Sequence, residues 1–273
     1  MPILRKLRHQ VAKTGVRAPL VWVRHKSLRA DDVFFASYPR SGSTWLRFVL
    51  FESIAGQASG FGNVNESIPD VKEHKTGLPL MPNGGRLIKT HEVYHPEYKR
   101  AVYLVRDPRD VALSEYAYQT ALGLVNMPLD EYLRVFLTKG VNPFASWSEH
   151  VQSWISSPLS QENLLIVKFE DLRRDTVQGV SAIVRFFGLT PDEEHIRAAV
   201  ANNSVERMKA KEKETPQRAS KKGQFIRSGS VGGWRKQLTE GQVKIVRNHA
   251  SALLTRLQYP LEAEMQEPAL AAQ

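Results

Sequence analysis

The loop sequence YPRSGSTW at positions 38–45 restricts the fold of this chain more than any other stretch. It follows VFFAS (33–37), a run of strand-forming residues, and leads into an apolar segment with helical periodicity from about Ser43 to Ile54. Placed there, the loop presents backbone N–H groups, hydroxyls and a guanidinium at a helix N-terminus, where proteins bind phosphate-like anions. The sequence therefore predicts a strand, an anion-binding loop and a helix in direct succession.

Further strands are predicted at RLIKT (86–90), AVYLV (101–105) and LLIVKF (164–169), each apolar enough to be buried. After the second of these, Asp107 stands at a helix N-cap position and Pro108 at the first helical position. Alternation of strands and helices favours a parallel sheet with helices on both faces. We therefore predict a single α/β domain with a central, mostly parallel β-sheet flanked by helices, similar to P-loop kinases.

The remaining segments have weaker patterns. A helix is predicted at about 176–187, ending at Gly188, and TPDE (190–193) has the pattern of a capping box that opens the next helix. The segment 55–85 lacks periodicity and is predicted to be a long functional loop. The segment 209–229 is rich in Lys and Arg, and it is either a solvated surface loop or a basic flap over a ligand.

The charge of the chain limits the partners that it is expected to bind. Its 273 residues include 38 Lys and Arg against 28 Asp and Glu, for a formal net charge of +10. This favours nucleotides, sulfated or phosphorylated molecules, nucleic acid or anionic lipid, although a basic surface that only aids solubility is an equal alternative. Cysteine is absent, which excludes disulfides, thiolate nucleophiles and Cys-ligated zinc and is compatible with a cytoplasmic location.

Domain boundaries are predicted from the distribution of charge. Residues 1–30 hold many cations, with no acid before Asp31, so they are predicted to form a basic N-terminal extension. This extension either contacts an anionic membrane surface peripherally or remains solvated. A domain is predicted at 31–260 and a C-terminal tail at 261–273. No apolar stretch reaches the roughly 18 residues of a transmembrane helix.

Basic side chains stand at the ends of three predicted strands. Arg40 follows the first strand, Lys89 and His91 mark the end of the second, and Arg106 follows the third. Each alone has an ordinary structural explanation, such as a surface charge, a core histidine or an ion pair. Because ligands bind at the carboxyl ends of parallel strands, three such ends together predict a ligand site.

Four motifs carry a resemblance to a known family. They are YPRSGSTW, KTH, YLVRDPRDVALSEYAY and FIRSGSVGGWRKQLT, and in order and spacing they resemble those of sulfotransferases that use 3′-phosphoadenosine 5′-phosphosulfate (PAPS). The match spans about residues 33–239. The resemblance implies in-line transfer of a sulfuryl group from PAPS to a hydroxyl, with adenosine 3′,5′-bisphosphate as the remaining product. It implies no metal.

The resemblance also assigns roles to individual residues. The first motif implies contacts to the 5′-phosphosulfate from Arg40, Ser41, Gly42, Ser43, Thr44 and Trp45. Residues expected at the 3′-phosphate are Arg106, Ser114, Arg227, Ser228 and Gly229. Residues expected at the adenine are Phe169 and Ser204. His91 matches the family's catalytic base, and Arg40 and Lys89 match the cations that meet charge on the leaving group.

Four positions depart from the family pattern. Arg40 replaces the commoner lysine and keeps the charge in a planar group that cannot donate its proton, so its expected role is electrostatic. Phe169 replaces a tyrosine, which retains stacking on the adenine but loses a hydroxyl. Ser228 replaces a lysine near the 3′-phosphate, and Val205 replaces an aromatic residue at the adenine. None of these departures affects the assignment of His91.

Two alternatives come from other classes of protein. A P-loop kinase would have the same strand, loop and helix, but the GxxxxGK[ST] pattern is absent, because Ser37 and Ser43 stand at its first glycine and its lysine. A non-catalytic anion-binding protein would explain the charge. No nucleic-acid-binding motif is recognisable, so nucleic acid is not an expected partner.

The acceptor is expected to be a small molecule, a lipid or a glycan, and the residues favour a hydrophobic or amphipathic alcohol, phenol or lipid over a densely charged glycan. The loops at 55–85 and 115–160 supply the aromatic side chains and histidine behind this expectation: Phe61, His74, Tyr116, Tyr118, Phe136, Phe144 and Trp147. Alternatively, several of these side chains belong to the core. The sequence leaves the oligomeric state open.

Overall fold

The computed structural model describes residues 17–215, 226 and 229–262. Within this part of the chain, four strands form one parallel sheet in the order β2-β1-β3-β4. The strands are β1 (Val33–Ser37), β2 (Leu87–Thr90), β3 (Ala101–Val105) and β4 (Leu164–Lys168). The predicted α/β fold with a parallel sheet is confirmed.

Helices precede, connect and follow the strands. In the described residues the α-helices are α1 (Arg17–His25), α2 (Ser43–Ala55), α3 (Phe61–Ser67), α4 (Pro108–Ala121), α5 (Leu129–Thr138), α6 (Trp147–Ile155), α7 (Phe169–Arg174), α8 (Thr176–Phe186), α9 (Glu193–Asn202), α10 (Val205–Glu214) and α11 (Glu240–Arg256). Short 3-10 helices lie at His74–Thr76 and Gly233–Lys236. The helix predicted after the phosphate loop begins at Ser43 as expected.

The sheet has a hydrophobic core on each face. Alternate residues of β1 point to opposite sides, so Phe34 and Ala36 pack with α4, α5, α6 and α11, whereas Val33 and Phe35 pack with α2, α3, α8 and α9. All four of these side chains are buried. This two-sided burial holds β1 at the centre of the sheet and fixes the direction in which the loop after Ser37 leaves it.

Local capping explains where two predicted helices begin. The Asp107 carboxylate accepts a hydrogen bond from the backbone N–H of Arg109 at 2.9 Å, and Pro108 opens α4, as predicted. The capping box predicted at 190–193 is wrong. Asp192 is the N-cap of α9 and accepts from the backbone N–H of His195 at 3.0 Å, so the helix begins two residues later than a Thr190 cap would allow.

Three other sequence predictions need correction. LLIVKF is not a buried strand, because β4 lies at the sheet edge, where Ile166 is 40% exposed, and Phe169 begins α7. The segment 55–85 is not a structureless loop, since it contains α3, a 3-10 helix and a bridge between Asp70 and Lys89. Residues 209–214 of the predicted basic loop belong to α10, while 216–225, 227 and 228 lie outside the described residues.

The N-terminal helix α1 is attached to the domain by buried contacts. The Tyr98 hydroxyl donates to Nε2 of His25 at 2.6 Å, since Nδ1 of His25 donates to the Val21 carbonyl at 2.6 Å. Arg24 forms an ion pair of 3.1 Å with Glu92, which follows the KTH motif. No helix in the described part of the chain combines the length and apolarity needed to cross a bilayer.

Candidate active site

The carboxyl ends of β1, β2 and β3 surround a cavity of about 290 Å³. Residues predicted from the sequence that line it are Arg40, Gly42, Ser43, Thr44, Trp45, His91, Arg106, Ser114, Phe169 and Gly229. Ser41, Lys89 and Ser204 are not among the lining residues. Arg227 and Ser228 lie outside the described residues. The three strand ends thus meet at one cavity, as parallel-sheet geometry requires.

The phosphate loop reaches α2 through two residues with left-handed backbone. Arg40 has φ 68°, and Gly42, the N-cap of α2, has φ 97°. A Cβ atom on Gly42 would lie 2.5 Å from the Phe169 ring, so only glycine fits between loop and ring. No described side chain caps the helix, and its first turn holds no acid. The amide groups at this N-terminus are therefore suited to an anion.

Two buried polar atoms at this end of the cavity have no hydrogen-bond partner among the described residues. They are the Ser41 hydroxyl oxygen and Nε of Arg106. Ser41 is fully buried next to Gly42, and Arg106 faces the cavity after β3. Because buried polar groups are nearly always paired in native proteins, the free Nε of Arg106, whose side chain lines the cavity, indicates that the site accepts a polar ligand.

Arg40 joins the phosphate loop to α4. Its Nε donates to the Ser114 hydroxyl at 3.1 Å, its guanidinium carbon lies 4.8 Å from the centre of the Tyr118 ring, and its carbonyl accepts from Arg106 at 3.1 Å. Burial raises the pKa of nearby Glu115, and the positive charge of Arg40 opposes that rise. Sequence reasoning missed Glu115, because no local pattern reveals a buried carboxyl on an amphipathic helix.

The orientation of His91 leaves one ring nitrogen able to accept a proton. Its Nδ1 lies 2.6 Å from the carbonyl oxygen of Ser37 and donates to it, so the lone pair is on Nε2. Burial, together with the positive charge of Lys89, holds the pKa of His91 well below its usual range. The imidazole is therefore neutral at neutral pH. Phe144 lies beside it, with ring centres 5.5 Å apart.

Two residues of α6 hold the backbone that carries His91. Nε2 of His150 donates to the His91 carbonyl at 3.0 Å, and Nδ1 of His150 accepts from the Tyr103 hydroxyl at 3.0 Å. The Trp154 indole donates to the Glu92 carbonyl at 3.1 Å. His150 and Trp154 are four residues apart on one helix face, and this spacing is the only sequence signal that could have indicated them.

Lys89 is paired and largely shielded from solvent. Its ammonium lies 2.9 Å from a carboxylate oxygen of Asp70. Burial alone would raise the pKa of Asp70, but Lys89 lowers it well below its usual range. Burial lowers the pKa of Lys89, and Asp70 opposes that change. The predicted catalytic role of Lys89 stays a prediction, to be exerted through its charge beside His91.

The late motif is attached to the start of α4 by a pair of hydrogen bonds that we call the latch. The Asp110 carboxylate accepts from the backbone N–H groups of Gly232 at 2.7 Å and Trp234 at 3.0 Å. Beside the latch, Arg106 donates to the Ser230 carbonyl at 2.8 Å. Burial raises the pKa of Asp110, and Arg106 opposes that rise. Sequence reasoning did not assign this role to Asp110, because its partners are 122 and 124 residues away.

Flat side chains form the remaining wall of the cavity. The guanidinium of Arg106 lies 4.5 Å from the centre of the Phe169 ring, and Trp45 meets Phe169 edge-on at 6.0 Å. Arg173, one turn after Phe169 on α7, lies over Trp45 at 5.2 Å and lines the cavity, although sequence reasoning did not select it. Ser204 caps α10 by accepting from a backbone N–H at 3.3 Å, so its predicted adenine contact stays a prediction.

The side chains expected in the acceptor pocket separate into two groups. Tyr118 and Phe144 line the cavity. Buried in the protein instead are Phe61, His74, Phe136 and Trp147, for which the expectation was wrong. Tyr116 is half-buried, and its hydroxyl donates to the Met127 carbonyl at 2.9 Å. In the described residues, no cluster of three or more His, Cys, Asp or Glu side chains could hold a metal ion.

Known proteins with similar sequences are sulfotransferases. The chain is 27% identical to mouse Sulfotransferase 2B1 over 244 residues, covering 79% of this chain and 69% of the relative. It is 27% identical to human Sulfotransferase 2A1 over 259 residues, covering 84% of this chain and 90% of the relative. These similarities do not favour the kinase or the non-catalytic alternative.

Solved structures have the same fold. Mouse sulfotransferase SULT7A1 complexed with PAP superposes with a TM-score of 0.64 at 24% identity, covering 83% of this chain and 85% of the other. Retinol dehydratase in complex with androsterone and PAP gives a TM-score of 0.63 at 23% identity, covering 83% of this chain and 81% of the other. The model of the sulfotransferase domain family matches residues 30–258. The protein therefore belongs to the sulfotransferase domain family, whose reaction is the transfer of a sulfuryl group.

Proposed function

We propose that the protein transfers the sulfuryl group of PAPS to the hydroxyl of a hydrophobic or amphipathic acceptor and releases adenosine 3′,5′-bisphosphate. One observation carries the proposal: a neutral histidine, the guanidinium of Arg106 and an uncapped helix N-terminus face the same cavity. The mouse sulfotransferase and retinol dehydratase structures are both complexes with PAP, the abbreviation of adenosine 3′,5′-bisphosphate. This supports a 3′-phosphorylated adenine nucleotide as the donor.

The residues present fit the donor. The amides of the phosphate loop, with the side chains of Ser43 and Thr44 that line the cavity, suit the 5′-phosphosulfate. Arg106, Ser114 and Gly229 suit the 3′-phosphate, together with Arg227 and Ser228. The adenine would lie against the rings of Phe169 and Trp45. When bound, PAPS supplies an activated sulfuryl group whose leaving group is a phosphate.

His91 acts as the general base in this proposal. Nε2 accepts the proton of the acceptor hydroxyl, while the Nδ1 hydrogen bond to Ser37 keeps the ring in the required tautomer. Arg40 is held beside the loop by Ser114 and Tyr118, where its fixed charge stabilises negative charge on the leaving phosphate. Lys89 contributes a second positive charge next to His91.

The acceptor side of the cavity is apolar around the base. Phe144, Tyr118 and Leu113 line it together with His91. The retinol dehydratase structures contain androsterone in one case and retinol in another, both hydrophobic alcohols. These half-buried aromatic side chains offer such molecules an apolar surface, whereas they provide no partners for the charges of a densely charged glycan.

The test is a transfer assay with PAPS and a panel of acceptors: a simple phenol, a sterol, a long-chain alcohol and a disaccharide. We expect a sulfated product, seen by mass spectrometry, from an apolar alcohol or phenol, with an equal amount of adenosine 3′,5′-bisphosphate. His91→Ala should slow the formation of both products by about 10²–10⁴-fold. Transfer to the disaccharide alone would overturn the acceptor class, and phosphorylation with ATP and Mg²⁺ in place of sulfation would overturn the reaction.

A further inference from the structure

Positive charge is concentrated at the N-terminus of the chain. Residues 1–30 contain eight cations and no acid: Arg5, Lys6, Arg8, Lys13, Arg17, Arg24, Lys26 and Arg29. The remaining residues then carry 30 Lys and Arg against 28 Asp and Glu, so nearly the whole net charge of +10 belongs to this segment. A distributed basic surface would serve solubility, but one concentrated segment indicates an anionic partner.

Helix α1 places apolar side chains among these charges. Trp22 is 66% exposed and Val23 is 59% exposed, and they are neighbours on the surface of the helix. The ammonium of Lys26 lies 5.9 Å from the centre of the Trp22 ring, and Lys26 and Arg29 are themselves exposed. An exposed tryptophan and an aliphatic side chain flanked by cations have the composition of an interfacial membrane anchor.

The opposite side of α1 is fixed to the domain. His25 is buried and bonded to Tyr98, whose hydroxyl also lies 3.2 Å from that of Thr90 in the KTH motif. Arg24 is paired with Glu92, so its charge is directed toward the domain. Trp22 and Val23 are therefore presented by a helix with a defined orientation.

A second cavity, of about 240 Å³, lies behind α1. Its lining residues include Val21, His25 and Glu92, and also Phe144, which lines the active-site cavity as well. A surface that bound the outer side of α1 would thus lie near the acceptor side of the site. The connection between this surface and the acceptor rests on the proposed function, in which the acceptor is hydrophobic or amphipathic. The surface itself does not depend on that function.

We propose that Trp22 and Val23 of α1, together with Lys26 and Arg29 just after the helix, form a docking surface for an anionic lipid bilayer. Cations attract the headgroups, and the two apolar side chains enter the interface between headgroups and acyl chains. Nucleic acid would also attract the cations, but it offers no apolar phase for Val23. Docking brings the acceptor side of the active site to the membrane, where amphipathic alcohols concentrate.

The test is co-sedimentation of the full chain with vesicles, without donor or acceptor, so its outcome is independent of catalysis. Vesicles of phosphatidylcholine containing 30 mol% phosphatidylserine are compared with pure phosphatidylcholine. We expect binding to the anionic vesicles only, weakening as salt rises. The double variant Trp22→Ser/Val23→Ser should bind about tenfold more weakly, because it lacks the apolar contacts. Lys26→Glu/Arg29→Glu should bind more weakly still.

Ile166→Ser is the matched control, since Ile166 is exposed on the edge strand β4 and should not affect binding. Sulfuryl transfer to a water-soluble phenol should be unchanged in the Trp22→Ser/Val23→Ser variant, which also shows that it is folded. Equal binding to both vesicle types, or wild-type binding by both double variants, would overturn the proposal. The proposal would also be overturned if the chain bound DNA but not the vesicles, and if the Trp22→Ser/Val23→Ser variant lost this DNA binding.

Discussion

The two rims of the active-site cavity are built in different ways. The strand-end rim, formed by residues 37–45 and 89–92, is held by contacts on several sides: Ser37 fixes the imidazole, His150 and Trp154 fix the backbone beside it, and Phe169 packs on Gly42. The latch rim, formed by residues 229–236, is held from one side: Asp110 and Arg106 bind its backbone, and the guanidinium carbon of Arg109 lies 3.6 Å from the ring centre of the buried Trp234.

This difference matches the proposed division of work between the rims. Proton transfer and displacement at sulfur need atoms placed to within a fraction of an ångström, so the strand-end rim carries the chemistry. Closing on a nucleotide requires a segment that can adjust, and the described contacts of the latch rim go to one stretch of chain, residues 106–110 at the start of α4. Damage to the first rim should therefore reduce kcat or stability, and damage to the second should reduce donor affinity.

The largest expected effect comes from removing the base at the strand-end rim. His91→Ala should lower kcat by about 10²–10⁴-fold, the usual contribution of a general base, with little change in the Kd for adenosine 3′,5′-bisphosphate. The measurements are steady-state kinetics and calorimetric titration of the nucleotide. A folded variant with kcat near that of wild type would exclude His91 from the mechanism.

A second variant tests how tightly the same rim is packed. Gly42→Ala places a methyl group against the Phe169 ring in a left-handed backbone conformation, which should reduce the free energy of unfolding by about 2–4 kcal/mol. Urea denaturation measures this loss. Gly56→Ala is the control, because Gly56 also has a positive φ but no atom lies within 4 Å of its Cβ position. Equal losses of unfolding free energy in the two variants would show that the contact between Gly42 and Phe169 does not restrict this position.

Opening the latch should affect binding more than chemistry. Asp110→Ala removes the acceptor of two backbone N–H groups and should weaken binding of adenosine 3′,5′-bisphosphate by about 2 kcal/mol, or roughly thirtyfold. At saturating PAPS, kcat should stay within a few-fold of wild type. Asp110→Asn keeps one acceptor oxygen, so its affinity for adenosine 3′,5′-bisphosphate should lie between those of the wild type and Asp110→Ala. A large loss of kcat with unchanged nucleotide affinity would mean that the two rims are not separable in this way.

The smallest effect concerns pH. Neutral His91 is the active form, and its pKa is lowered by burial and by Lys89, so kcat/KM should fall only as pH drops through a value below 6.5. Lys89→Met removes the largest lowering influence after burial and should move this acidic limb to higher pH. The pH profiles of both proteins measure the shift. An acidic limb that stays in place in Lys89→Met would show that another group titrates.

Local sequence patterns were sufficient for the parts of the fold that depend on neighbouring residues. The strand and helix around the phosphate loop, and the cap of α4 at Asp107, follow from periodicity and backbone preference within a few positions. Because the carboxyl ends of parallel strands share one edge, the meeting of Arg40, His91 and Arg106 at one cavity was also predictable.

Features that depend on distant partners were not predictable in this way. The apolar pattern of β4 does not reveal that it lies at the sheet edge, and the buried aromatic side chains of α5 and α6 resemble those of a pocket. Asp110 and His150 look like ordinary helix residues until their backbone partners, far away in sequence, are known. Sequence reasoning therefore found the groups proposed to react and missed those that hold them in place.

The most direct test of the central claim, a site for a 3′-phosphorylated nucleotide, is thermal unfolding in the presence of ligands. Adenosine 3′,5′-bisphosphate is compared with ADP and with ATP plus Mg²⁺. At about 100 times Kd, a ligand adds about 2.7 kcal/mol of stability, which raises Tm by roughly 5–10 °C for a domain of this size. We predict this rise with adenosine 3′,5′-bisphosphate alone, and also in His91→Ala. A rise with ATP and Mg²⁺ alone, or no rise with any nucleotide, would contradict the account.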